Sequence, residues 1–115
     1  MSRIAYVNGR FLLHESASIH IEDRAMQFGD GVYEVFAVVD GELVDSELHY
    51  ERLLRSLREL KMGMPIEQRV LQLVLREVIR RNRIREGICY LQITRGSSPR
   101  NHIFPTNLSH SIVIT

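Results

Sequence analysis

Apolar and polar positions alternate at both ends of the chain and take a helical period in its middle. Two apolar stretches, Ile4-Ala5-Tyr6-Val7 and Phe11-Leu12-Leu13, flank Asn8-Gly9. That dipeptide accepts positive φ at both central positions of a two-residue turn, so the spacing predicts a β-hairpin. Residues 15–31 read as a loop with one helical turn over 24–28. Residues 32–40, rich in β-branched and aromatic side chains, predict a strand, and Asp40-Gly41 turns it into a short partner over 42–44. Leu53, Leu54, Leu57 and Leu60 then recur at helical spacing behind Asp45 or Ser46, either of which suits an N-cap, with Gly63 as the stop. Pro65 suits the first turn of a second helix, expected to bury Ile66, Val70, Leu73 and Val74, with Leu71, Val78 and Ile79 as further candidates. Gly87 precedes a strand over 88–94. An irregular segment follows over 95–109, and a last strand over 110–114.

Strands, two helices and strands again, joined mostly by tight turns, predict an α+β domain: a mostly antiparallel sheet with two helices packed on it. A chain of 115 residues makes one such domain, 1–115. It stops at the end of a strand with no cap or polar tail. That ending predicts a fragment whose continuation is missing; a last strand that simply closes the sheet is the alternative.

Composition narrows the function classes. Hydrophobic residues at 44 % and charged residues at 25 % are ordinary for a globular domain. No apolar run approaches the ~18 residues of a membrane span, and no apolar signal region opens the chain. Cys89, the only cysteine, alternates with Leu91 and Ile93 and reads as a buried thiol, which fits a cytoplasmic setting. The five histidines show no metal-binding spacing, so no metal is expected. The net charge of +1 gives no reason to expect nucleic acid. The arginine-rich run over 76–85 lacks interleaved aromatics and reads as the outer face and end of a helix.

One asymmetry stands out. Fourteen of the fifteen basic residues are Arg, and Lys61 is the only lysine. Arginine cannot lose its proton or act as a nucleophilic amine, and it suits forked hydrogen bonds to carboxylates and phosphates. Composition therefore allows anion recognition and disfavours lysine-based covalent chemistry.

Three groups are candidates for that recognition. In Gly29-Asp30-Gly31-Val32-Tyr33-Glu34 a sharp turn leads into a strand whose alternation sends Tyr33 and Glu34 to opposite faces. A phenol there can donate to a carboxylate; a plain turn and amphipathic strand satisfies the same residues. In the first long helix Glu51 and Arg55, then Arg55 and Glu59, are spaced to pair at i+4, which leaves Arg52 without an acidic partner. Arg52 is free to reach a phosphate or to stay solvated. In Arg95-Gly96-Ser97-Ser98-Pro99-Arg100-Asn101-His102, two guanidiniums, two hydroxyls and an imidazole share one irregular segment, either a binding loop or a polar surface.

Taken in order, these blocks resemble the N-terminal domain of the class IV (fold-type IV) pyridoxal-phosphate aminotransferases, and most closely their D-amino-acid transaminase branch. The residues that carry the likeness are Asp23-Arg24-Ala25-Met26-Gln27-Phe28-Gly29-Asp30-Gly31-Val32-Tyr33-Glu34-Val35, His49-Tyr50-Glu51-Arg52-Leu53, and Thr94-Arg95-Gly96-Ser97-Ser98-Pro99-Arg100-Asn101-His102 with Phe104-Pro105 after it. The resemblance implies that Arg52 binds the cofactor phosphate. It implies that Tyr33 helps to hold the substrate α-carboxylate, and that Arg100 and His102 complete this carboxylate site from the partner subunit of a homodimer. The Arg-x-His pair favours the D-amino-acid branch over the branched-chain aminotransferases and aminodeoxychorismate lyases, which remain the alternatives. A non-catalytic folding or dimerisation module is the alternative of another class. The parent enzyme would use pyridoxal 5'-phosphate to move an amino group between a D-amino acid and a 2-oxo acid. Its Schiff-base lysine belongs to a second domain beyond Thr115; Lys61 does not match it and reads as a helix-terminal surface lysine. The chain alone is therefore expected to be inactive and to hold the cofactor weakly.

Overall fold

The computed structural model describes residues 2–106 and 108–115; Met1, and Asn107 within the expected irregular segment, lie outside it. Strands β1 (Ile4–Val7) and β2 (Arg10–Leu13) form the expected hairpin, with Asn8 and Gly9 both at positive φ. A short helix, α1 (Arg24–Phe28), precedes β3 (Gly31–Val39), which turns through Asp40 and Gly41 into β4 (Glu42–Leu43). Helices α2 (Ser46–Glu59) and α3 (Gln68–Arg81) follow, then β5 (Glu86–Thr94) and β6 (Ser111–Ile114). The six strands form one sheet in the order β2-β1-β6-β5-β3-β4, with every neighbouring pair antiparallel. The α+β expectation holds.

The helices cover one face of the sheet. Glu34, Phe36 and Val38 of β3 share that face with Cys89, Leu91 and Ile93 of β5 and with Ile112 and Ile114 of β6. Against them pack Tyr50, Leu53 and Leu57 of α2 and Leu71, Leu75, Val78 and Ile79 of α3. The opposite face carries Tyr33, Ala37, Val39 and Ile88, all exposed.

Three local expectations need correction. Asp45 takes a left-handed backbone, and neither it nor Ser46 caps α2 through its side chain. Gly63 does not stop α2, nor does Pro65 start α3. The first helix closes through Lys61, whose φ of 56° lets its N–H bond the Arg58 carbonyl and the Met62 N–H bond the Leu57 carbonyl. Arg83 repeats the motif after α3, where Ile84 bonds Ile79. Both helices thus close by the usual Schellman geometry with a basic residue where glycine is preferred. The buried stripe of α3 is also rotated from the expected one. Leu71, Leu75 and Val78 lie one turn apart and face the sheet, while Leu73 is 58 % exposed and Val70 is also exposed.

Candidate anion site

Gly31 lets β3 run close to β5: a Cβ there would lie 2.8 Å from the Ile93 carbonyl oxygen. Alternation then divides Tyr33 from Glu34 as expected. Tyr33 stands 63 % exposed on the open face and stacks with Tyr90, their ring centroids 5.8 Å apart. Glu34 points inward and is 3 % exposed.

Glu34 is the partner that α2 does not supply to Arg52. Arg52 Nε donates to Glu34 Oε2 at 2.9 Å and its Nη2 to Oε1 at 2.7 Å, a forked charge-assisted contact. His49, three residues earlier on the same helix, brings Nδ1 to 2.6 Å from Oε1. Burial pushes the Glu34 carboxyl up, but hydrogen bonds from Arg52 and His49 and their charges outweigh it and leave it below its ordinary value. An ionised carboxylate only accepts, so His49 Nδ1 is the donor. Arg52, in turn, is held still more firmly protonated by Glu34.

The fork orients Arg52 without hiding it. Its side chain remains 56 % exposed, and no hydrogen bond among the described residues uses Nη1. With Tyr33, Val35, Arg55 and Ser56 it lines an open cleft of about 320 Å³. The expected Glu51–Arg55 and Arg55–Glu59 ion pairs do not form among the described residues. The helical pairs that do form join Glu77 to Arg80 and Arg81 on α3.

Arg100 and His102 lie elsewhere. Both are exposed and gather around Phe28 of α1; the Arg100 Cζ is 5.2 Å and the His102 ring 5.3 Å from that ring's centroid. No hydrogen bond, ion pair or ring contact among the described residues joins either to Tyr33 or Arg52. Beneath them is a buried hub absent from the sequence reading. Asp30 Oδ2 accepts from Arg24 Nε and from Arg95 Nε, each at 2.7 Å. Burial raises the Asp30 carboxyl, and the two guanidiniums, Arg95 first, more than reverse this and hold it below its ordinary value. Asp23 caps α1 by accepting from Ala25 N–H at 2.9 Å and also accepts from Thr94 Oγ1 at 3.1 Å.

Lys61 is exposed and lines a different cleft, with Leu60, Arg95 and Phe104. Cys89 is buried, and burial pushes its thiol up to about 11, so it is no nucleophile. No group of His, Cys, Asp or Glu among the described residues is placed to hold a metal ion, and no helix among them is long and apolar enough to cross a membrane.

The family model for amino-transferase class IV matches residues 31–115. The chain belongs to this family. It is 41 % identical over 101 residues to a D-alanine aminotransferase of Staphylococcus haemolyticus, a stretch that covers 88 % of the chain and 36 % of that relative. The chain thus spans little more than a third of that relative's length. The fold matches Escherichia coli branched-chain amino acid aminotransferase with a TM-score of 0.90 at 21 % identity, over 99 % of this chain and 39 % of the other. It also matches a branched-chain aminotransferase of the archaeon Thermoproteus uzoniensis, solved with norvaline. There the TM-score is 0.81 at 26 % identity, over 100 % of this chain and 40 % of the other.

Sequence reasoning about this class IV chain singled out Arg52 as a candidate but not the Glu34 and His49 that brace it. Glu34 and His49 both stood in the quoted motifs. A carboxylate at an inward strand position, otherwise filled by Val32, Phe36 and Val38, is the signal that a buried cationic partner must exist.

Proposed function

We propose that the chain provides the phosphate grip and part of the carboxylate grip of a pyridoxal-phosphate-dependent D-amino-acid transaminase, which moves an amino group between a D-amino acid and a 2-oxo acid. The observation that carries the reading is the braced Arg52: a guanidinium held by a buried carboxylate, half exposed, and opening on a cleft beside an exposed phenol. A fixed cation of this kind suits a phosphate dianion, since its orientation cost is met before the ligand arrives. The relative named D-alanine aminotransferase supplies the reaction class.

The residues present fit the phosphate end of the cofactor and not its reactive end. Arg52 would hold the phosphate; the only lysine lines another cleft. When bound, the cofactor supplies an electron-withdrawing ring that stabilises charge at the amino acid's α-carbon. The chain's own residues bind and orient. Glu34 fixes the plane of the Arg52 guanidinium, and His49 steadies Glu34 by donating to its Oε1. Tyr33 donates its hydroxyl proton to a substrate carboxylate oxygen. Arg100 offers a forked pair of N–H donors to a carboxylate and His102 a further ring N–H. Their contacts in one chain go to Phe28 and not to Tyr33 or Arg52, which supports a homodimer in which they serve the site of a second copy. The single domain 1–115 is then the N-terminal part of a cytoplasmic enzyme, inactive without its C-terminal part.

The test joins this chain to the C-terminal part of the Staphylococcus haemolyticus relative and assays amino transfer to 2-oxoglutarate. D-Alanine is expected as the donor, with L-alanine and L-valine at least tenfold poorer in kcat/KM. Preference for L-valine would overturn the D-amino-acid reading and favour the branched-chain alternative.

A further inference from the structure

The loop that bears Arg100 and His102 is held by alternating cations and rings. Along this ladder stand Arg95, Phe104, Arg24, Phe28 and Arg100. The Cζ atoms of Arg95 and Arg24 lie 4.5 and 5.5 Å from the Phe104 centroid. Those of Arg24 and Arg100 lie 4.4 and 5.2 Å from the Phe28 centroid. The His102 ring meets the same phenyl edge-on, at 67°. One side chain, Phe28, therefore touches both members of the Arg-x-His pair.

The inner end of the ladder is rigid. Arg24 is 2 % exposed, and three of its N–H donors reach three parts of the fold. Its Nε meets Asp30, its Nη1 donates to the Asn101 carbonyl at 2.6 Å, and its backbone N–H donates to the Gly96 carbonyl at 2.9 Å. Asn101 stands between Arg100 and His102, so this buried guanidinium fixes the backbone from which both project. Asn101 also folds its side chain onto the Ile103 N–H at 3.0 Å.

Charge explains the rings. Arg24 and Arg95 share the single carboxylate of Asp30, so the two guanidiniums divide one ion-pair partner. The negative faces of Phe28 and Phe104 add a second electrostatic contact without supplying an acceptor. The same chemistry suits Arg100. A guanidinium over a ring meets it with its flat face, and its N–H donors, which lie in the guanidinium's own plane, stay free for an acceptor beside the ring. An acidic neighbour would have consumed those donors; Arg100 has no ion-pair partner among the described residues.

We propose that Phe28, backed by Arg24, is a positioning residue that pre-organises Arg100 and His102 to receive a carboxylate. The inference rests on the carboxylate role proposed above for that pair. It adds that the Arg100–His102 half of the receptor is set within one chain, before any ligand or second copy arrives.

The experiment is NMR on the full chain with Phe28→Leu, Phe28→Met and Phe28→Tyr, followed through the His102 ring C–H and Arg100 Nε–H signals during titration with 2-oxoglutarate. Wild type and Phe28→Tyr are expected to show His102 protons displaced by ring current. In the two aliphatic variants they move to the shifts of a solvated histidine, and the affinity read at Arg100 falls roughly two- to fivefold, the loss of an exposed cation–ring contact. Unchanged amide shifts of β3 and β5 certify the fold. His102 at solvated shifts in wild type, or identical His102 and Arg100 signals in wild type and an aliphatic variant, overturns the positioning. A wild-type Arg100 signal indifferent to 2-oxoglutarate overturns the carboxylate role instead, and the ring-current comparison still decides whether Phe28 positions the pair.

Discussion

Two buried carboxylates organise the chain's chemistry, and each carries a testable cost. Asp30 sits between Arg24 and Arg95, and Glu34 between Arg52 and His49. Replacing Asp30 with Asn leaves two guanidiniums without a counter-charge, which costs about 3–5 kcal/mol. Urea unfolding of Asp30→Asn at pH 7 is expected to show that loss. The same group sets a pH dependence. Its folded-state proton affinity is depressed, so its stabilisation is complete above the unfolded carboxylate range, about pH 4, and is lost as pH falls through the lower folded value. Urea midpoints measured from pH 6 down to pH 2 should fall steeply for wild type and less for Asp30→Asn. The residue scale is also where sequence reading went least far. Asp30 read as a turn former, because Gly-Asp-Gly has that composition. The partners that redefine it lie 6 and 65 positions away, beyond any local spacing rule.

At the scale of elements the sequence was more informative, and its misses share a cause. Alternation placed β3 and β5 within a residue or two, and Asn8-Gly9 and Asp40-Gly41 fixed two turns, because period and turn chemistry are local properties. The buried stripe of α3 was misjudged because apolar residues occupy most of 70–79, so several phases satisfy the pattern and only docking on the sheet selects one. The helix stops were misplaced because Lys61 and Arg83 adopt a backbone that glycine adopts more readily. The corrected face is checked by truncation. Leu75→Ala is expected to cost about 2–5 kcal/mol and Leu73→Ala under about 0.5 kcal/mol in the same urea experiment.

Across the whole molecule, two sequence blocks far apart along the chain become one structure. The Asp23–Asp30 block caps α1, and the Arg95–His102 block docks on it through Arg24, Phe28 and an isolated bridge between Asp23 and Ser97. Their co-occurrence in the sequence resemblance therefore has a physical basis. No hydrogen bond, ion pair or ring contact among the described residues joins Arg100 or His102 to Tyr33 or Arg52, which fits a site completed by a second copy. That arrangement predicts complementation. In the fused enzyme, Arg52→Ala and Arg100→Ala homodimers should each be nearly inactive. Mixing them should restore about a quarter of wild-type activity per dimer, since a random half of the dimers carries one intact site of two. No recovery in verified mixed dimers would place the Arg52 and Arg100 of one site in the same subunit.

The proposed phosphate grip of Arg52 can be measured on this chain without turnover. The measurement is a ³¹P NMR titration of pyridoxal 5'-phosphate against wild type and Arg52→Ala. A saturable shift of the phosphate resonance is expected with wild type, weak in affinity and abolished in Arg52→Ala. Equal shifts with both proteins, or none with wild type at millimolar concentrations, would contradict the proposed grip.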